Sequence, residues 1–288
     1  MNNNDIKDLI KLLEDTDDEI YEIVHQKIKD VGIDAIKELH ISKSDPINDL
    51  HKHRINKLLN VLKVKKLRGD INYWGKNNNH DLLAGLLIIA QYGYPDINIA
   101  MVNDELQKIE QTIKAALDKN AGTDVIKVFN DVILNQYKFI GNNHSDDGAD
   151  SCYINKVLET KTGYPILLCI IYLLMAKKFN VPLIGINSPR HFILAYIGNN
   201  TNIDEAMPDN LMQNVTYFID PFHYGKTYHS DDFNYMLGQM EFDMAFLSSL
   251  PASNIDIIKR VMNNVIYSIH QKGKENTAKV LLKIADEL

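Results

Sequence analysis

Cys169, His191, Asp220 and His223 are the residues whose types and order point to chemistry. A thiolate that attacks, an imidazole that takes its proton and a carboxylate that orients the imidazole make a thiol hydrolase or acyltransferase. His191 opens the apolar run HFILAYI, and Asp220 ends YFID just before Pro221. Both are expected at strand ends, facing the N-terminus of an apolar helix, the place where a thiol pKa is lowered. Singly the residues carry little weight. An Asp before Pro is common in turns, and a His in an apolar strand is more often a hydrogen-bonded core residue. His191, Asp220 and His223 also form a two-His-one-carboxylate ligand set, but no fourth ligand or second shell is evident, so no metal is expected. A third reading is structural, with Asp220 simply holding His191 by a hydrogen bond.

The element that must position these groups runs from Val157 to Val181, VLETKTGYPILLCIIYLLMAKKFNV. Ile166 to Ala176 contains no charge in eleven residues. Pro165 suits the first helical position, and Gly163 can turn the chain tightly before it. Apolar residues surround this helix on all sides, so it should be buried all round. It is too short to span a bilayer, which takes about 20 apolar residues.

A chain of 288 residues can hold more than one subdomain. The net charge of -7 argues against a nucleic-acid or anionic-membrane partner. The basic run KVKKLRG, Lys63 to Gly69, reads as dipole complementation at a helix end. Two cysteines build neither a disulfide framework nor a four-thiolate zinc site. The acidic, amphipathic N-terminus has no signal-peptide core. A cytoplasmic protein is the expectation.

The N-terminal half reads as helical. Ile6, Leu9, Ile10 and Leu13 share one face. Thr16 is expected to cap a second helix that ends at Gly32, and Ile33 to Leu39 begins a third. These helices resemble one HEAT-type unit, giving a HEAT-like region over 1–70. Asp45-Pro46 restarts a helix to about Leu67, followed by a loop over Trp74 to Asp81. His51 and His53, two apart on that helix, are expected to be solvated. Leu82 to Tyr92, Ile97 to Lys119 and Thr123 to Phe139 are further helices. The polar loop Gly141 to Asp150 lacks an EF-hand spacing. Leu183 to Asn187, His191 to Ile197 and Val215 to Asp220 read as strands, with a long loop over Gly198 to Asn214. Asp231 to Met240 is helical, and two helices around Gly273 form a TPR-like hairpin over 251–288.

Three ordered motifs, VLETKTGYPILLCIIYLLMAKKFNVPLIGIN, PRHFILAY and YFIDPFHYG, carry a resemblance. The chain resembles the transglutaminase-core superfamily, in particular its SirB-like branch, strongly over Ser151 to Tyr228. The resemblance implies an α+β, papain-like fold with a central helix packed on a small antiparallel sheet. It assigns residues 79–250 to the domain, a helical part over 79–140 and a core over 151–250. It places His191 and Asp220 in the catalytic His and Asp slots. Active members read G-x-C at the helix start, with G-I-P fifteen residues after the Cys. Here Asn180-Val181-Pro182 stands for G-I-P, and counting back fifteen lands on Pro165. Proline offers neither a nucleophile nor an N–H for an oxyanion hole. Cys169, one helical turn further in, would lie about 6 Å deeper, as a buried neutral thiol with a raised pKa.

The resemblance therefore implies a nucleophile-lacking domain that acts by binding, without a cofactor. Its partner would be a protein segment or a small anionic ligand in the groove near His191 and Asp220. Arg190, Asn187 and Tyr164 are the candidate ligand-binding residues. The alternative is a working thiol enzyme using Cys169, His191 and Asp220.

Overall fold

A computed structural model of the chain describes residues 3–119, 122–142, 149–188, 191–198, 214–229, 232 and 251–288. The loop after Gly198, the expected helix over Asp231 to Met240 (Asp232 apart) and Arg190 lie outside the described residues. The chain divides into two units, one of residues 1–77 and 88–97, the other of 78–87 and 98–288.

In the first unit, α1 (Asn3–Lys11), α2 (Asp18–Val31), α3 (Ala35–Ser44) and α4 (Asp49–Asn77) are joined by short turns. Their apolar faces meet in a core that includes Ile10, Leu13, Ile28, Leu39 and Leu58. The cap of α2 is Asp17, not Thr16: its carboxylate accepts from the backbone N–H of Glu19 and Ile20. Gly32 ends α2 as expected, with φ of 71° and its N–H bonded to the Ile28 carbonyl.

The expected end of α4 at Leu67 and the loop from Trp74 are corrected by the structure. The helix runs on through Gly69 to Asn77 because Ile71 and Trp74 continue the buried period. KVKKLRG is thus mid-helix and caps nothing. His51 is buried, not solvated. Its Nε2 is 2.7 Å from the Ile10 carbonyl, and Arg54 donates to the carbonyls of Leu13 and Asp15. Both side chains satisfy carbonyls left open where α1 and its following turn end.

The second helical region contains α5 (Leu82–Gly93), α6 (Ile99–Lys119) and α7 (Val125–Phe129). The last continues into a π-helical segment, Asn130–Gln136, where a single longer helix was expected. Short strands β1 (Ile140–Gly141) and β2 (Thr162–Gly163) pair in parallel on either side of α8 (Ile154–Thr160). Then comes α9 (Pro165–Phe179), with Pro165 at the first position and Asn180 closing it in the left-handed conformation. Ile166 to Tyr172 are all buried, so the charge-free segment is enclosed as its sequence requires. Gly163 has no positive φ; it is needed for space, since a Cβ there would meet Val157 at 2.9 Å.

Among the described residues, β3 (Leu183–Ile186), β4 (Ile193–Ile197), β5 (Val215–Asp220), β6 (Lys226–His229) and β7 (Pro251–Ala252) form one sheet. Its order is β6-β5-β4-β3-β7, and every neighbouring pair is antiparallel. Helix α9 packs on β3, β4 and the turn Pro221–His223. The chain ends in the hairpin of α10 (Asn254–Gln271) and α11 (Glu275–Asp286). No helix among the described residues is long and apolar enough to cross a membrane.

Asn130 ties this core together. Its Oδ1 accepts from the buried Tyr172 hydroxyl at 2.9 Å, and its Nδ2 donates to the Gly225 carbonyl at 3.1 Å. Asn130→Ala leaves that phenol buried without a partner, an expected loss of about 1–3 kcal/mol. Chemical denaturation checks it. Adding Tyr172→Phe to the Asn130→Ala chain should recover part of the loss, because the orphaned hydroxyl is then gone.

Candidate functional site

Asp220 is the last residue of β5, and Leu194 of β4 lies opposite Ile219. That register brings the segment leading into β4 alongside the end of β5. His191 stands two residues before β4 rather than on it. The antiparallel pairing of β4 and β5 thus delivers the two residues to one sheet end, 29 apart in sequence but in contact.

The Asp220 side chain is 3% exposed and uses both carboxylate oxygens. Oδ1 accepts from the backbone N–H of Phe222 at 3.1 Å and of His223 at 3.2 Å, capping the short turn Pro221–His223. Oδ2 accepts from His191 Nε2 at 2.8 Å and from His223 Nδ1 at 2.7 Å. An ionised carboxylate only accepts, so the proton lies on Nε2 of His191 and on Nδ1 of His223. Burial alone would raise the Asp220 pKa. The hydrogen bonds and charges of His191 and His223 outweigh it and hold the carboxyl below its ordinary value. Phe222 stands edge-on to both imidazoles, with ring centroids 5.9 and 5.2 Å away. Gly141 lies against the Phe222 ring so closely that a Cβ would come within 2.5 Å of it.

Cys169 hydrogen-bonds to backbone beside this cluster, not to an imidazole. It is fully buried on α9, and its Sγ donates to the Phe192 carbonyl at 3.4 Å. Burial, and next the charge of Asp220, push its pKa well above the ordinary thiol value. Cys152 is also buried, and its pKa is pushed up to about 12. Neither thiol has the electropositive, accessible setting of a nucleophile.

Of the residues expected to bind ligand, Tyr164 lies at the start of α9, Asn187 follows β3, and Arg190 is outside the described residues. Tyr164 caps the helix beside Pro165, and the two border a cavity of about 250 Å³ together with Phe192. The opposite wall is Arg260, Asn264 and Tyr267 of α10, spaced four and three apart and so on one helical stripe. Asn187 does not border the cavity; its Oδ1 accepts from Arg260 Nη1 at 3.2 Å and so aims the guanidinium. Arg260 escaped the sequence reading, which looked for a cation at Arg190. The available signal was a cation on α10 next to its buried stripe of Ile257, Val261 and Val265.

The transglutaminase-like superfamily profile matches residues 100–263, more than half of the chain. Human F-box only protein 21 is 25% identical over 213 residues, which cover 65% of this chain and 33% of that protein. The mouse F-box only protein 21 matches over the same extent. A UPF0162 protein of Xylella fastidiosa is 22% identical over 191 residues, covering 64% of this chain and 63% of its own. The match thus spans about a third of the F-box relatives and under two thirds of the bacterial one. No solved structure matches the chain. Because that profile covers more than half of its length, the chain belongs to the transglutaminase-like superfamily.

Proposed function

We propose that this is a nucleophile-lacking member of the superfamily, of the SirB-like branch and with a papain-like core, that acts by binding. The observation that carries the reading is Pro165 at the first position of α9, where the superfamily resemblance would put the cysteine of an active member. Cys169, four residues on, is sealed in the core and bonded to a backbone carbonyl. The thiol-enzyme alternative would need that sulfur at the imidazole. The ligand we infer is an anionic small molecule or a protein segment carrying a carboxylate. The half-buried Arg260 beside the Tyr164–Pro165 cavity supports that chemistry, since a guanidinium presents paired donors to a carboxylate.

Thiol-directed probes at neutral pH test the reading. Cys169 is expected to stay unlabelled in the folded protein and to react promptly once denaturant exposes it. Rapid labelling of native Cys169 that disappears in His191→Ala would overturn the nucleophile-lacking assignment.

A further inference from the structure

We propose that His191, His223 and Asp220 form a binding site for a divalent first-row transition metal in six-coordinate geometry. Nothing in the nucleophile-lacking reading requires this, and the two stand or fall separately. Among the described residues these three are a group of His, Cys, Asp or Glu whose ligand atoms all lie within 4.8 Å of one another. A second shell that is not legible in the sequence is present in the structure. Asp220 Oδ1 is held by two backbone N–H groups, which leaves Oδ2 as a fixed single donor. The Phe222 ring stands edge-on to both imidazoles.

The spacing is compatible with a six-coordinate ion, and the ligand set favours one. Donors in adjacent positions of an octahedral ion, at bonds of about 2.0–2.1 Å, stand about 2.8–3.0 Å apart; a tetrahedral ion holds them at about 3.3 Å. The two nitrogen–oxygen edges measure 2.8 and 2.7 Å as hydrogen bonds, so an octahedral ion could take their place with little movement of the donors. Two imidazoles and one carboxylate also match the ligand set that six-coordinate iron(II) and its neighbours take up while keeping positions open. The His223 side chain is 58% exposed and that of His191 29%, so water can fill the remaining positions. On binding, the metal replaces the two N–H···O bonds. Each neutral imidazole then carries its proton on the other nitrogen, Nδ1 of His191 and Nε2 of His223, by exchange with solvent, so the count of protons is unchanged.

The test uses the full chain, purified without a histidine tag, stripped by chelator and titrated with Co²⁺ alone. Calorimetry should find one equivalent bound, and the visible spectrum should show the weak absorption of six-coordinate cobalt. The large contact shifts of metal-bound imidazoles should appear on the ring signals of His191 and His223, and the other eight of the ten histidines should show only smaller through-space shifts. His223→Ala and His191→Ala should each weaken binding by about tenfold or more. His223 is exposed enough that its variant should keep its fold, which a thermal melt verifies. Absence of saturable one-to-one binding would overturn the proposal. So would Co²⁺ affinity that survives either substitution undiminished, or shifts confined to other histidines.

Discussion

Asp220→Ala is expected to destabilise the protein by about 2–4 kcal/mol at neutral pH. The change removes the acceptor for four donors at once: two backbone N–H groups and two imidazole N–H groups. The donors do not contribute equally. His223 is more than half exposed and can turn its ring to water, so its bond is worth little. The loss comes mainly from His191 and from the turn Pro221–His223, which Asp220 caps.

The pH dependence has a definite sign. The folded-state pKa of Asp220 lies below its ordinary value, because the hydrogen bonds from the two imidazoles overcome the effect of burial. An unfolded aspartate titrates at about 3.9. The stabilisation is therefore complete above that pH and is lost as pH falls through the folded-state value. Urea denaturation of wild type and Asp220→Asn should show a gap in stability at pH 7 that narrows below about pH 4. A gap of equal size at pH 7 and pH 3 would contradict the assignment.

Trp74→Ala should cost about 3–5 kcal/mol, the usual range for deleting a large aromatic side chain from a packed interior. Trp74 is 1% exposed and is the only tryptophan in the chain. Its neighbour on the same helix should behave in the opposite way. A Cβ at Gly69 meets no atom within 4 Å, so Gly69→Ala removes a flexible residue from a helix interior at no steric cost. It should stabilise by about 0.5–1 kcal/mol. Far-UV circular dichroism follows unfolding in both variants, and Trp74 fluorescence provides a second probe for Gly69→Ala. If residues 70–77 were a loop, both effects would shrink towards zero.

The parts of this protein that were legible in its sequence are those governed by local rules. Pro165 at a helix start, an all-round apolar helix and short β-branched or aromatic-rich runs for β3, β4 and β5 each follow from neighbours a few residues away. The ordered motifs that carry the superfamily resemblance lie in the same segments, which is why His191 and Asp220 could be named before their contact was seen. Local rules also misled. Gly69 and the polar residues around it looked like a helix end, yet the burial of Ile71 and Trp74 outweighs one glycine's cost of about 1 kcal/mol. His51 looked solvated until the carbonyls ending α1 came within reach of its ring.

Only the tertiary structure decided the composition of the site. Whether the Cys169 sulfur meets an imidazole or a backbone carbonyl was set by how α9 docks on the segment leading into β4, where it meets the Phe192 carbonyl, and a wholly apolar helix carries no mark of that docking. That Asp220 holds two histidines rather than one follows from the tight turn after β5, which folds His223 back over the same oxygen. Arg260 reaches the start of α9 from 95 residues further along the chain than Pro165, through the docking of α10. The sequence determined which groups were available. Their partners were set by long-range packing, because a side chain's hydrogen bonds and pKa depend on what folding brings within a few ångströms of it.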